Sequence, residues 1–341
     1  MDIGYGLVSC QLSPGDRRGW GDIYREALDL AELADRVGLD SIWTTEHHFV
    51  DDGYMPSLLV TSAAIAARTK RIRIGTGVLL APLHDPLQLA EDAATVSLIS
   101  DGRLILGLGL GWSETEFDAF GSDRRKRGAS MTEFLSILPQ AWSGRPISWE
   151  GPHHAIAPVA VRPTPEKTIP IWIGGGADAA VRRAARLADG FFSNATPDRF
   201  AEQVAIAREE REAANITTDF SWAHYGIVYL CDDPDRGWEE IRDSVHLMTW
   251  KYSDMEASAS RPPGPLPAPP PMDPATDQAL RSRVMVGTAQ QVAARILETG
   301  EAAGVPIEFV ARSYFPDRPF PALAEQIHRI AEDLAPLLRS A

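Results

Sequence analysis

The chain has 341 residues, 44% of them hydrophobic, and a formal net charge of −14 from 33 Lys and Arg against 47 Asp and Glu. That acidic balance argues against nucleic acid or an anionic membrane surface as a partner, because phosphate contacts need clustered cations. No apolar run reaches the roughly 18 residues of a membrane span. The N-terminal residues carry no signal-peptide pattern. Two cysteines, Cys10 and Cys231, are too few for a disulfide framework, so a cytoplasmic protein is expected.

The apolar run Ile3–Ser9 is the first expected strand. Asp22–Val37 repeats apolar residues at helical spacing and stops at Gly38. Asp40–Thr45 is a second strand and runs directly into Glu46-His47-His48-Phe49. Pro56–Thr69 is an Ala-rich helix with proline at its first position. Arg71–Leu80 is nearly continuously apolar, as a buried parallel strand requires. Asp85 caps a helix that starts at Pro86. Arg103–Gly109 is the fourth strand, and its end merges with the glycine-rich turn Gly107 to Trp112. Ser130-Met131-Thr132-Glu133 has the form of a capping box opening a helix to Trp142. The proline-interrupted stretch 144–165 is a hairpin-like excursion.

Ile169–Gly174 is the fifth strand, followed by Gly174-Gly175-Gly176 and a helix over Asp178–Ala188. Phe191–Ser193 is the sixth strand and leads to a helix beginning at Thr196-Pro197. Phe220–Leu230 is the seventh, followed by helical pattern over Asp235–Trp250. Eight of the fourteen residues Arg261–Pro274 are proline, which excludes helix and central strand and suits a polyproline-like surface segment or lid. Thr288 to Gln291 is a second capping box, Ile307–Ser313 the eighth strand, and Pro321–Leu338 the last helix.

Strand and helix alternate eight times, which predicts a parallel sheet covered by helices. At this length the expectation is an α/β fold, a (β/α)8 TIM barrel. It forms one domain over residues 1–341, with insertions after strands four and seven, the second at about 253–282. In such a barrel the active site lies at the C-terminal ends of the strands. The residues gathered there are Glu46, His47 and His48, many glycines, and Trp112. Glycines at strand ends let backbone approach a ligand closely, and the turn at Gly174–Asp178 offers free N–H groups to an anion. Together with the flat face of Trp112 they suit a large planar ligand with a phosphate tail. No lysine stands at a strand end for Schiff-base chemistry. Side-by-side imidazoles on an extended segment point opposite ways, so no metal site is expected, and one histidine is expected to face the ligand. The basic run Arg124–Arg127 is either a solvated face or the source of an arginine for the phosphate.

These residues resemble the bacterial luciferase-like family of flavin- and deazaflavin-dependent oxidoreductases. The carriers are Trp43-Thr-Thr-Glu46-His47-His48-Phe49; Ile74-Gly75-Thr76-Gly77-Val78 with His84-Asp85-Pro86; Ser100-Asp101-Gly102-Arg103; Gly109-Leu-Gly-Trp112 with Glu116-Phe117; Pro170 to Gly176 with Ala188-Asp189-Gly190; and Val286-Gly287-Thr288. The resemblance implies a TIM barrel and a non-proline cis peptide at Gly77-Val78. It implies His47 as the residue beside the flavin ring; the reading of the residues themselves puts His48 second and Glu46 as a structural partner. The cofactor would lie against Thr76, Gly77, Val78, Gly109, Gly111, Trp112, Gly174, Gly175, Gly176, Ala177 and Ser193, with Arg127 on its phosphate. Where the luciferase has an arginine after strand four, this chain has Leu110.

The activity so implied is an FMN-dependent monooxygenase. It would use reduced FMN from a separate reductase, and O2, to oxygenate a small organic substrate, as a homodimer. The alternative is a hydride-transfer oxidoreductase using the deazaflavin coenzyme F420. A non-catalytic flavin-binding protein or subunit is the third reading.

Overall fold

The computed structural model describes residues 1–340. Eight parallel strands close on themselves as a barrel. They are β1 (Asp2–Val8), β2 (Ser41–Thr44), β3 (Arg73–Thr76) with its continuation β4 (Leu79–Leu80), β5 (Leu104–Gly109), β8 (Ile171–Gly174), β9 (Gly190–Ser193), β10 (Ser221–Leu230) and β12 (Glu308–Arg312). Each pairs in parallel with the next, and β12 pairs β1 to complete the ring. Two short elements lie between β5 and β8: β6 (Ile147–Glu150) and β7 (Ala155–Val159), the antiparallel hairpin expected for that excursion.

Helices α1 (Trp20–Val37), α2 (Leu58–Arg68) and α3 (Pro86–Ile99) cover the first three strands. Asp85 caps α3 by accepting from the backbone N–H groups of Leu87 and Gln88, as its position before Pro86 implies. Helices α4 (Glu114–Ala119) and α5 (Arg127–Ala141) follow β5, and α6 (Asp178–Leu187), α7 (Pro197–Ala213) and α8 (Pro234–Ser258) follow β8, β9 and β10. The closing elements are α9 (Pro274–Arg283), β11 (Met285–Gly287), α10 (Ala289–Ala303), α11 (Phe320–Arg329), a π turn, and α12 (Ala335–Arg339). The capping box at Thr288 is present in full. No helix among the described residues is long and apolar enough to cross a membrane.

The barrel interior is filled, not open. Trp43 is fully buried and stacks on Trp172 and Phe192, with ring centroids 5.5 and 4.7 Å away. Glycines make room for it: a Cβ on Gly75 would lie 2.3 Å from the Trp43 ring. This packed plug floors the cavity at the C-terminal ends of the strands.

Four expectations need correction. The third strand is interrupted after Thr76, where the Gly77-Val78 peptide is cis, and resumes as β4 against β5. Ser130–Glu133 is not a capping box: a 3-10 turn over Arg124–Lys126, capped by Asp123, winds straight into α5 three residues earlier. The Glu133 carboxylate instead accepts from the backbone N–H of His153 and of His154, which ties down the hairpin. Helix α8 continues past Trp250 to Ser258. The proline-rich run ends not in coil but in α9, where Asp273 accepts from Thr276 N–H and Pro274 takes the first position.

Candidate active site

At the C-terminal rim a cavity of about 430 Å³ opens above the Trp43 plug. One side is glycine and small residues: Gly77, Val78, Gly109 to Gly111, and Gly174 to Ala177. The other brings Glu46, His47, Tyr225 and Tyr252, with Trp112 between the two. The glycines are steric requirements. A Cβ on Gly109 would meet Val78 Cγ2 at 2.2 Å, and one on Gly174 would meet Val78 Cγ1 at 2.6 Å. A Cβ on Gly176 would meet no atom within 4 Å, so its open side is space for a ligand. Helix α6 begins just beyond, and no side chain caps it at Ala177. Its first N–H groups therefore remain available to an anion.

His47 and His48 point to opposite sides, as period-two alternation requires. His47 lines the cavity. Its Nδ1 lies 2.9 Å from Glu116 Oε1, which also accepts from the His48 backbone N–H at 2.8 Å. With Oε1 acting as acceptor in both contacts, Nδ1 carries the proton and Nε2 is the ring's free acceptor. Tyr54, Tyr252 and Trp112 surround the imidazole edge-on at 4.9, 5.6 and 5.8 Å. Trp112 is 40% exposed, which makes it a wall of the cavity mouth and not a core residue.

His48 turns away into a second cluster. Its Nε2 is 2.7 Å from Glu46 Oε1, and His84 Nε2 lies 3.3 Å from the same oxygen. Burial acts to raise the Glu46 carboxyl, but the hydrogen bonds from His48 and His84 outweigh it and hold the group below the ordinary carboxylate range. The expectation that nothing converges on these imidazoles is corrected here. His84, beyond the interrupted third strand, completes a Glu-His-His set whose ligand atoms lie within 4.8 Å of one another. Leu80 N–H donates to the second oxygen of Glu46, so the carboxylate is already fully engaged within the protein.

Three expected cofactor contacts lie elsewhere. The Thr76 hydroxyl donates to Gly107 O, and the Ser193 hydroxyl donates to Gln203 Oε1 at 2.7 Å, so both clamp neighbouring elements. Asn194, one residue on, lines the cavity instead. Arg127 faces a separate polar cavity shared with Lys126, His84 and His154, because its guanidinium folds back to donate to Arg124 O. The proline-rich run packs beside Ser13 and Pro14 and the face of α8 that carries Leu247 and Trp250, away from the cavity. Closure over the site comes from α8 itself. Its last turns bring Tyr252 to the cavity, and Glu256 accepts from the N–H groups of Glu114 and Thr115.

Glu116, Tyr225 and Tyr252 had no role assigned from sequence. Glu116 is among the residues that carry the family resemblance, but its place in a short acidic turn gives it no role. Tyr225 has a weak signal, as an inward position near the end of a strand. Tyr252 has none.

A parallel barrel with a glycine-walled cavity and a carboxylate-held imidazole at its rim is a framework that can seat a planar ligand beside a proton-transfer group. Residues 1–306 match the family model for luciferase-like monooxygenases, and the chain belongs to that family. It is 30% identical over 198 residues to an F420-dependent glucose-6-phosphate dehydrogenase from Amycolatopsis mediterranei, a match that spans 56% of each chain. It is 32% identical over 164 residues to the oxygenase component of a flavin-dependent trigonelline monooxygenase from Acinetobacter baylyi, covering 46% of this chain and 45% of the relative. The chain thus spans about half the length of the curated relatives it matches. Among solved structures, the monooxygenase RslO1 from Streptomyces bottropensis superposes with a TM-score of 0.83 at 25% identity, covering 100% of both chains.

Proposed function

We propose that this protein is a deazaflavin-dependent oxidoreductase that moves a hydride between coenzyme F420 and a small organic substrate. The observation that carries it is the His47–Glu116 pair at the edge of a glycine-walled cavity, a proton-transfer group beside a bed for a planar ring. The F420-dependent dehydrogenase relatives support the choice of cofactor over FMN, the cofactor that the sequence favoured. Gly109, Gly111 and Gly174 to Gly176 fit the group, since the open side of Gly176 and the uncapped start of α6 suit a ring edge and an anionic tail. When bound, the deazaflavin would supply two-electron hydride chemistry that needs no O2. Glu116 fixes the His47 tautomer, so that Nε2 takes or returns a proton at a substrate oxygen. Tyr54, Tyr252 and Trp112 exclude water around that ring.

A reduced-FMN monooxygenase, fed by a reductase and using O2, is the second reading, favoured by the trigonelline monooxygenase relative and by RslO1. Homodimerisation through α2 and α3 belongs to either reading, with Val60 and Ile99 as large apolar side chains left exposed there. Titration of the protein with F420 and with reduced FMN under anaerobic conditions tests the choice. Tighter F420 binding is expected; tighter binding of reduced FMN, with O2 consumed on turnover, replaces the first reading by the second.

A further inference from the structure

One buried charge has no partner in the site described so far. Arg312 is the last residue of β12, in register between Gly6 of β1 and Ile227 of β10. Alternate residues of a strand share a face. Val310, two residues earlier, packs in the barrel interior with Trp43 and Ala223, so Arg312 lies in the layer above, at the cavity end, behind the lining residues Tyr225 and Tyr252.

Arg312 is half-buried as a residue, but its Nε is enclosed with no hydrogen-bond partner. Among the described residues it forms no ion pair. Lys251, the other enclosed cation near this rim, is paired with both Asp51 and Asp254. The groups around Arg312 are the phenols of Tyr252, Tyr54 and Tyr225. Enclosing a cation without an anion is costly unless a partner arrives, and a guanidinium does not lose its charge to relieve that cost.

Its position says which partner. In the ring of eight strands β12 stands diametrically opposite β5, four strands away in either direction. The end of β5 runs into the glycine wall at Gly109 to Trp112. A planar cofactor on that wall leaves the β12 side to the substrate. The tyrosines around Arg312 are also those of the reaction centre: Tyr54 and Tyr252 pack against His47 at 4.9 and 5.6 Å, and Tyr225 and Tyr252 line the cavity.

We infer that Arg312 receives an anionic head group of the substrate, a carboxylate, sulfonate or phosphate, and so holds the substrate's reactive carbon between the glycine wall and His47. The guanidinium fork matches such a group through two parallel hydrogen bonds, and the tyrosine hydroxyls add donors beside it. The inference rests on the proposed cofactor position.

The test is calorimetric binding of benzoate, benzenesulfonate and phenyl phosphate, each against neutral benzamide, to the full chain with and without cofactor. In the wild-type protein at least one anion is expected to bind tenfold or more tightly than benzamide. Arg312→Gln is expected to bring that ratio within twofold, and Arg312→Lys to keep part of it, while cofactor affinity stays within threefold. If no anion is preferred, or if the preference survives Arg312→Gln, the inference falls. It falls also if Arg312→Gln abolishes cofactor binding, since the arginine then serves the cofactor. Should Arg312→Gln not fold, Arg312→Lys decides: unchanged anion affinity overturns the inference, and a loss of threefold or more supports it. A wild-type protein that binds neither F420 nor FMN but still discriminates anions through Arg312 would overturn the proposed function alone. Cofactor binding without anion preference would overturn this inference alone.

Discussion

His47 and Glu116 meet at 2.9 Å across 69 residues of chain, one from the end of β2 and the other from the first turn of α4. The contact gives the imidazole a fixed proton on Nδ1 and leaves Nε2 as base. His47→Ala is expected to lower kcat by about 10²–10⁴-fold, the usual worth of a positioned acid–base group. Glu116→Gln keeps the shape but loses the charge. It should lower kcat less and displace the pH profile of kcat/KM, with cofactor affinity retained. Turnover and pH profiles of both variants check this, and unchanged kcat in His47→Ala removes the residue from the mechanism.

Among the buried groups that tie stability to pH are His224 and Glu46. His224 is buried with Nε2 donating to Ala195 O, and burial, only partly countered by that hydrogen bond, lowers its pKa from the ordinary 6.5. Glu46 is lowered from 4.5 by hydrogen bonds from His48 and His84 that outweigh burial. In both, the native state binds fewer protons than the unfolded chain, so the contribution to stability is present above the unfolded value and lost as pH falls. Unfolding free energy from urea titrations should therefore fall below pH 6.5 as His224 is forced to charge, and again below 4.5 with Glu46. Glu46→Gln should flatten the lower step. A profile flat between pH 7 and 5 contradicts the assignment to His224.

The barrel was legible because each unit carries its own local signal, apolar strand runs closed by glycine, capped starts such as Asp85-Pro86, and the Glu46-His47-His48 motif at a strand end. Strand alternation alone separates His47 from His48. What could not be read is pairing between distant units. Neither Glu116 nor His84 lies near the histidine motif in sequence, and only the closed ring brings them together. Arg127 lies off the cavity because a basic run says nothing about where each guanidinium turns, and here the helix start folds it back on Arg124. The proline-rich run has the composition of a lid, yet Tyr252 covers the site from an unbroken helix that runs past Trp250, where the apolar pattern in the sequence stops.

Gly176 separates a ligand requirement from a folding requirement. A Cβ there meets nothing within 4 Å, whereas one on Gly109 strikes Val78 at 2.2 Å. Gly176→Val is therefore expected to leave the melting temperature nearly unchanged and to weaken F420 binding by tenfold or more. Gly109→Val should lower both, because overpacking of this kind costs about 1–3 kcal/mol. Differential scanning calorimetry with cofactor titration distinguishes them, and full cofactor affinity in Gly176→Val would move the cofactor off this wall.

The end of α8 is held down by charges. Lys251 pairs with Asp51 and Asp254, and Arg261 pairs with the same two carboxylates, which ties the helix to the loop following the histidine motif. The two cations differ in surroundings: the Lys251 side chain is 5% exposed and that of Arg261 is 26% exposed. Removing an enclosed ion's partner leaves a charge without compensation, whereas an exposed pair is screened by solvent. Asp51→Ala should thus destabilise by about 1–3 kcal/mol, because Lys251 loses its shortest partner and keeps Asp254 and a longer 4.0 Å contact with Asp52; Arg261→Ala should cost about 0–1 kcal/mol. Tyr252 follows Lys251 directly and packs against His47 at 5.6 Å, so the same loosening reaches the site. Asp51→Ala is expected to raise KM more than it lowers kcat, because Tyr252 encloses the cavity and donates nothing to the proton-transfer pair. Urea midpoints and steady-state kinetics on the two variants measure both effects. Equal costs for Asp51→Ala and Arg261→Ala, with KM unchanged in each, would show that α8 is held over the cavity by its apolar contacts alone.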